Sequence, residues 1–209
     1  MGQKVDPRSF RLQVHKNWSS NWFAASKSDF KKWLHQDVKI REFIEKKYGE
    51  RPTIAGIKIE RSHNLVTVTI STAKAGVVIG RGGVGVNELK AELEKITQMP
   101  VRIDIEEVKK SELSAKLVSE NIAAQLARRI NFRRATKMAA QSTMAAGAKG
   151  IRIEVSGRLN GAEMSRSERL IEGSVPLHTL RADVDFHVAR SQTIAGIVGV
   201  KVWIYKGEK

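Results

Sequence analysis

The segment that decides the fold is Val78-Ile79-Gly80-Arg81-Gly82-Gly83, and a helical pattern over residues 87–98 follows it. Gly80, Gly82 and Gly85 match the spacing G-x-G-x-x-G of dinucleotide-binding loops, and Asp104 lies near the distance expected for a ribose-binding acid. That fingerprint needs a strand that ends directly in the loop. The alternating strand pattern before the loop ends near Ser71, several residues too early.

The same segment also contains G-x-x-G, from Gly80 to Gly83, with Ile79 before it and Arg81-Gly82 at its tip. A loop of this kind holds about four nucleotides of single-stranded backbone. Glycine lets the backbone approach phosphate, the next helix presents free N–H groups, and Arg81 adds a mobile positive charge. A plain turn between two elements is the third interpretation, and the motif by itself leaves all three open.

The charge balance favours nucleic acid. The chain has 209 residues, with 37 Lys and Arg against 22 Asp and Glu, and a formal net charge of +15. A charge of this size predicts a polyanionic partner, with nucleic acid preferred to an anionic membrane. No acidic residue lies between Glu120 and Glu154, so this stretch gives up the i,i+4 ion pairs of an ordinary solvated helix. A phosphate-binding surface would explain that pattern.

Several classes of function are excluded or disfavoured by missing signals. The absence of cysteine excludes a disulfide scaffold, a thiolate zinc site and a cysteine nucleophile. The five histidines show no zinc spacing, so we expect no metal and no cofactor. No apolar run approaches the ~18 residues of a membrane span, and the first ten residues lack the apolar core of a signal peptide. The sequence therefore predicts a cytoplasmic protein that does not bind a membrane.

Hydrophobic periodicity predicts the α+β class. Residues 1–24 form a basic arm with no clear period, residues 25–109 a first domain, and residues 110–209 a second. The first domain is expected to contain a three-stranded sheet with helices, and Ser28 is expected to cap its first helix. The second is expected to contain two helices packed on a four-stranded sheet, with Asn131 capping the second helix. Strands in adjacent runs favour this arrangement over a parallel α/β sheet.

Sequence blocks along nearly the whole chain resemble the bacterial small-subunit ribosomal protein S three family. The blocks are the start MGQKV with Pro7, Arg11-Leu12, Trp22-Phe23-Ala24, GVVIG at 76–80 with Gly83, Phe132-Arg133-Arg134-Ala135, GAKG at 147–150, VSGRL at 155–159, VPLHTLRAD at 175–183, and GVKVWI at 199–204 with Lys206-Gly207. This resemblance implies a type II KH domain followed by a second α/β domain. The chain departs from the family at Asp6, where His is expected, at the loop tip Arg81-Gly82, where two basic residues are common, and at Lys209, where many relatives continue into a basic tail.

The resemblance also implies a function. It indicates a structural protein of the small ribosomal subunit, without enzyme chemistry, that binds ribosomal RNA and contacts mRNA at its entrance, where it helps to hold or unwind the message. Neighbouring small-subunit proteins, of which ten and fourteen are implied, are the expected protein partners. A free KH-type RNA-binding regulator and a dinucleotide-dependent oxidoreductase are the alternatives.

The resemblance and the charge pattern give three groups of candidate RNA-binding residues. The KH loop contributes Ile79, Gly80, Arg81, Gly82 and Gly83. Arg133, Arg134 and Lys137 match an Arg-Arg-x-x-Lys pattern that lines the mRNA entrance in the family. Further candidates for ribosomal RNA contact are Lys4, Arg8, Arg11, Arg128, Arg129 and Lys149.

Other groups favour a structural role. Asp183, Asp185 and His187 alternate along a strand, and we expect them to pair with Arg152, Arg158 or Arg166 and not to form a metal or acid–base site. The aromatic residues of the arm, Trp18, Trp22 and Phe23, are suited to stacking on bases or to packing on a domain. Trp203 and Tyr205 are expected in the core.

Overall fold

The computed structural model describes residues 4–49, 53–62 and 64–208. These residues form two compact units. The first unit contains residues 18–109, and the second joins residues 4–17 to residues 110–208. No helix in the described part of the chain is both long enough and apolar enough to cross a bilayer.

The first unit is a mixed sheet covered by helices. Its elements are β1 (Ser20–Asn21), α1 (Lys27–Tyr48), β2 (Ile54–Arg61), β3 (Val66–Thr72), α2 (Ala75–Ile79), α3 (Val84–Thr97) and β4 (Val101–Glu107). The strand order is β1-β2-β3-β4, with β3 antiparallel to β2 and parallel to β4. Alternate residues of β3 are fully buried against α1 and α3, because a period of two directs one face of the strand to the core.

Two local predictions for the first unit need correction. Ser26, not Ser28, caps α1, because its hydroxyl oxygen accepts a hydrogen bond from the backbone N–H of Asp29 at 3.1 Å. The expected three-stranded sheet gains a fourth, two-residue strand, β1, which pairs parallel to β2. This strand is too short to leave a periodic pattern in the sequence.

The second unit packs two helices on one face of an antiparallel sheet. Its elements are α4 (Ala115–Ala127), α5 (Phe132–Ala145), β5 (Gly150–Gly157), β6 (Arg166–Gly173), β7 (Ala182–Thr193) and β8 (Gly196–Glu208). The strand order is β6-β5-β8-β7. Isoleucine and valine side chains of β5 and β8 meet the apolar stripes of α4 and α5 in the larger core of this unit. The α+β class is therefore confirmed, as are the two helices on a four-stranded sheet that were predicted for this domain.

The opposite face of this sheet carries a smaller core. Trp203 and Tyr205 are 5% and 7% exposed there and pack with Ala182 and Val184, so their prediction as core residues is confirmed. The guanidinium of Arg152 lies 4.7 Å from the ring centre of Trp203, a cation–π contact that covers the indole.

The partners predicted for three residues of β7 are wrong. Asp183 forms an ion pair with Lys16 at 2.9 Å, because the N-terminal segment lies against this strand. Asp185 accepts a hydrogen bond from the backbone N–H of Ala115 at 3.0 Å, and His187 shares a hydrogen bond of 2.7 Å with the Ser119 hydroxyl.

Candidate nucleic-acid interface

The predicted KH loop lies between two helices. Ile79 ends α2, residues 80–83 form the loop, and α3 begins at Val84. Gly80 has φ +71° and ψ −179°, a conformation open essentially only to glycine. A Cβ atom at Gly80 would also lie 3.0 Å from the backbone nitrogen of Gly85. The glycine here lets α2 and α3 approach each other closely.

The tip of the loop is exposed. The Arg81 side chain is solvent-exposed, and the space around Gly82 is open, since a Cβ placed there meets no atom within 4 Å. Val77 and Val84, on either side of the loop, are 52% and 56% exposed. The positive end of the α3 dipole, a mobile cation and apolar flanks therefore lie together, which suits a strand with its phosphates toward the loop and its bases beside it.

The geometry of the loop does not fit the dinucleotide fingerprint. Strand β3 ends at Thr72, and the short helix α2 stands between this strand and Gly80. A dinucleotide loop needs the strand to lead directly into the glycines, so that the pyrophosphate sits at the sheet edge. The oxidoreductase alternative therefore has no structural support at this loop.

The second group of candidates lies in the first two turns of α5. The side-chain oxygen of Asn131 accepts a hydrogen bond from the backbone N–H of Arg133 at 3.0 Å, so the predicted cap is confirmed. Arg133, Arg134 and Lys137 are all exposed, with Arg133 and Lys137 one turn apart on the helix and Arg134 beside them. We call these three residues the α5 patch. Cations at this end of a helix oppose its dipole, and an external anion would offset that cost.

Glu168, which the sequence analysis did not single out, offsets part of the positive charge of the α5 patch. The Glu168 carboxylate on β6 lies 3.3 Å from an Arg133 guanidinium nitrogen and 3.3 Å from that of Arg166. Arg134 and Lys137 form no ion pair with the described residues. Alternation along β6 was the available signal, because Glu168 shares a face with Leu170, which packs against the core below the helices.

The remaining candidates divide by exposure. Lys4, Arg8, Arg128, Arg129 and Lys149 all have exposed side chains. Arg8 forms a surface ion pair with Asp6 at 3.5 Å. These five residues remain candidates for RNA contact.

For Arg11, the structure contradicts the prediction of a contact with ribosomal RNA. Its side chain is fully buried, and it donates hydrogen bonds to five backbone carbonyls, those of Pro7, Pro176, Leu177, Thr179 and Ala182. Burial lowers the pKa of Arg11, and the nearby charge of Asp183 opposes that shift. A guanidinium enclosed in this way cannot reach RNA, so its role is structural.

The aromatic residues of the arm also differ in exposure. The indole N–H of Trp22 donates to a carboxylate oxygen of Asp37 at 2.7 Å, and the ring contacts Phe30 and Trp33. Trp18 and Phe23 are 62% and 89% exposed. Asp37 in turn forms a buried ion pair with Arg61 at 2.6 Å, and no local sequence pattern predicts this network.

Comparison with known proteins defines the class first. The family described as "KH domain" matches residues 39–113, and the family described as "Ribosomal protein S3, C-terminal domain" matches residues 122–204. The first match lies in the first unit except for its last four residues, and the second match lies within the second unit. The chain is therefore an RNA-binding protein in which a KH domain precedes a ribosomal domain.

Whole-chain relatives define the family. The chain is 53% identical to a protein of Pediococcus pentosaceus over 208 residues, covering 100% of this chain and 92% of the relative. Its identity is 52% to a protein of Halalkalibacterium halodurans and 54% to one of Desulforudis audaxviator, with 94% of each relative covered. All three are named "Small ribosomal subunit protein uS3". The chain belongs to the uS3 family of small-subunit ribosomal proteins.

Proposed function

We propose that this protein is a structural constituent of the small ribosomal subunit in the cytoplasm, that it binds ribosomal RNA, and that it holds incoming mRNA at the entrance of the mRNA path. It carries out no chemical reaction of its own. Neighbouring small-subunit proteins, with proteins ten and fourteen the expected ones, complete its surroundings. Family membership and the net charge of +15 support the ribosomal RNA part of the proposal.

The α5 patch is the observation that carries the mRNA part. Arg133 and Lys137 stand one helical turn apart with Arg134 beside them, and among the described residues the only acid that pairs with a member of the patch is Glu168, at Arg133. Successive phosphates of a passing strand would meet Arg133, Lys137 and the adjacent Arg134 in turn. Fixed cations that grip one strand of a duplex keep it from pairing again, while the translocating ribosome supplies the work.

The KH loop and the other exposed cations supply further contacts in this proposal. Ile79, Gly80, Arg81, Gly82 and Gly83 hold a single-stranded RNA backbone. Lys4, Arg8, Arg128, Arg129 and Lys149 neutralise phosphates of ribosomal RNA, each as a surface cation. A protein built into the small subunit co-sediments with it even in high salt, whereas a free regulator that binds RNA through these cations alone separates from it.

The α5 patch is tested by changing Arg133, Arg134 and Lys137 together to Ala. All three side chains are exposed, so the free energy of unfolding should change by less than about 1 kcal/mol and subunits should assemble. Elongation through a stable hairpin near the entrance should slow, because the separated strand is no longer held. Elongation on unstructured mRNA should stay near the wild-type rate.

Arg181→Ala is the matched control. Arg181 belongs to the same unit and its side chain is 71% exposed, against 72% for Arg133. It pairs with Glu208 at 3.0 Å and lies outside the α5 patch. This variant should elongate alike on both templates. Equal slowing of the triple variant on paired and unpaired templates, or no slowing on either, would contradict the entrance role and leave the ribosomal role standing.

A further inference from the structure

A cleft of about 500 Å³ opens in the second unit, on a surface that no proposed contact uses as a whole. Three loops form it: the turn between α4 and α5, the loop after β5, and the β7–β8 hairpin. Its floor is apolar and buried, with the side chains of Leu126, Phe132, Leu159 and Val198. Its exposed polar lining residues are Arg129, Asn131, Arg158, Asn160 and Gln192, and the lining contains no acidic residue.

Two residues of this lining have an uncommon backbone conformation. Arg129 has φ +63° and Asn160 has φ +56°, in the left-handed region that favours glycine. Asparagine tolerates this region, but arginine gains nothing from it. Glycine at 129 would remove the strain and the side chain together. The turn itself does not require an arginine, and its exposed guanidinium is available to a ligand outside the described chain.

The guanidinium of Arg158 is fixed at the opposite wall. Its Nε donates to the carbonyl of Ala162 at 2.8 Å, and one terminal nitrogen donates to that of Ala195 at 3.4 Å. Neither Arg129 nor Arg158 forms an ion pair within the described residues. A planar cation held by two carbonyls offers both a flat surface for stacking and an unused edge for an acceptor.

The hairpin tip adds an apolar wall. Residues Ile194 and Ala195 form a two-residue turn between β7 and β8, where asparagine, aspartate and glycine are the usual residues. Ile194 is 85% exposed. Ile194 therefore extends the apolar lining of the cleft to its outer rim, where a ligand could cover it.

We infer that this cleft binds one unstacked nucleotide of ribosomal RNA, with its base against the apolar floor and the Arg158 plane and its phosphate at Arg129. Acid-free walls, two unpaired guanidiniums and side-chain amides suit the edges of a base and a phosphate. The inference rests on the proposed ribosomal function.

The shape of the site favours ribosomal RNA over mRNA as the source of the nucleotide. A cleft that encloses a base holds it in place, and a message must slide through the subunit at every step. A nucleotide of ribosomal RNA stays fixed, so a shaped site retains it without a kinetic cost.

The first test places a photoreactive phenylalanine derivative at Ile194 in full-length protein assembled into small subunits without mRNA. We expect a crosslink to a single region of ribosomal RNA. The same reagent at Met164, which is 84% exposed in the same unit but does not line the cleft, should not give that crosslink. A crosslink from position 194 to a protein would overturn the inference, and so would an RNA crosslink that appears only in a second sample to which mRNA has been added.

The second test is Arg129→Gly, which separates a ligand contact from a structural role. Relief of the left-handed conformation should leave the melting temperature equal or higher. In assembled subunits, the base identified by crosslinking should become about tenfold more reactive to a base-specific chemical probe, since it loses its stacked and bonded position. A fall in melting temperature with unchanged base reactivity would show that Arg129 serves the fold.

Gln98→Gly is the matched control for this test. Gln98 is also exposed and left-handed, with φ +56°, but it caps α3 in the first unit. Glycine there should give the same relief of strain with no change at the cleft nucleotide. Failure of the cleft inference would leave the salt-dependent binding of RNA and the effect of the α5 patch on hairpins intact, so the two proposals fail separately.

Discussion

At the scale of single residues, Arg11 shows how one side chain can fasten a terminal segment. Its five carbonyl acceptors come from two parts of the chain, with Pro7 in the terminal segment and the other four between Pro176 and Ala182. The residues at 176–181 contain no helix or strand, so their carbonyls have few backbone donors. Arg11 supplies those donors and thereby fixes the loop before β7.

Replacing Arg11 by Leu should destabilise the protein by about 2–4 kcal/mol, because several buried carbonyls would lose their donors. Arg11→Lys should recover only part of the loss, since an ammonium group cannot reproduce the planar fork. Chemical denaturation of the full-length protein measures both values. Arg8→Leu, an exposed neighbour, should change stability by less than about 0.5 kcal/mol. A loss for Arg11→Leu as small as that for Arg8→Leu would contradict the structural role.

At the scale of elements, the segment from α2 through the loop to α3 contains two kinds of residue. Some are needed for the backbone conformation of the loop, and others are exposed and available to a ligand. Gly80 is needed for shape, because of its backbone conformation and its close approach to Gly85. Arg81 and Gly82 are exposed at the tip, and Gly82 has open space around it. The same short loop therefore permits two substitutions with opposite expected effects.

Changing Arg81 and Gly82 together to Asp should weaken RNA binding strongly while costing no more than about 1 kcal/mol of stability. Asp is among the side chains that tolerate the left-handed conformation of Gly82, and no neighbour is displaced. Gly80→Ala should instead destabilise the fold by about 1–3 kcal/mol through its backbone strain. Denaturation curves together with RNA titration at fixed salt compare the two. Unfolding of the double variant would show that the loop tip is structural.

Periodicity predicted the long elements and failed at the short or distant ones. Helices α1, α3, α4 and α5 carry apolar residues at helical spacing, and the long strands alternate, so local sequence was sufficient for them. The five-residue α2 and the two-residue β1 are too short to show a period. The cap of α1 was missed by two residues, since Ser26 and Ser28 are equally suited by composition.

In the candidate RNA-binding site, too, local features were predicted from the sequence and features that depend on distant residues were not. The glycine spacing and the Arg-Arg-x-x-Lys pattern are local, and the structure describes both as exposed. The burial of Arg11 depends on an acceptor 171 residues away along the chain, and the pairing of Arg133 with Glu168 spans 35 residues. The cleft needs three loops brought together by the sheet. Contacts of this kind follow from the tertiary fold and leave no mark in a local pattern.

At the scale of the whole molecule, the electrostatic field of the protein governs how it binds RNA. A net charge of +15 attracts phosphate from any direction, while the exposed cations decide how many phosphates are neutralised. The number of cations in the sequence is larger than the number that can neutralise phosphates, because some cations are buried or already paired. Arg11 is enclosed, Arg61 is committed to Asp37, and Arg133 is shared with Glu168.

The salt dependence of RNA binding measures this capacity directly. For the full-length protein and a single-stranded RNA, the logarithm of affinity should fall steeply with the logarithm of salt concentration, by about 0.7 for each phosphate neutralised. Changing Arg134 and Lys137 together to Ala should lower the slope by about 1.4, because both are exposed and form no ion pair with a described residue. Arg133→Ala should lower it by less, since Glu168 already offsets part of that charge.

Two further variants test whether the slope depends on the available cations of the α5 patch or on the net charge of the protein alone. Glu168→Gln should steepen the slope, because it releases Arg133 for a phosphate. Arg181→Ala removes one positive charge from an exposed pair with Glu208 and should leave the slope nearly unchanged. If the slope followed net charge alone, Arg181→Ala and Arg134→Ala would have equal effects, and the α5 patch would have no special place in RNA binding. Unequal effects in the expected order would show that RNA selects the cations by their availability on the folded surface.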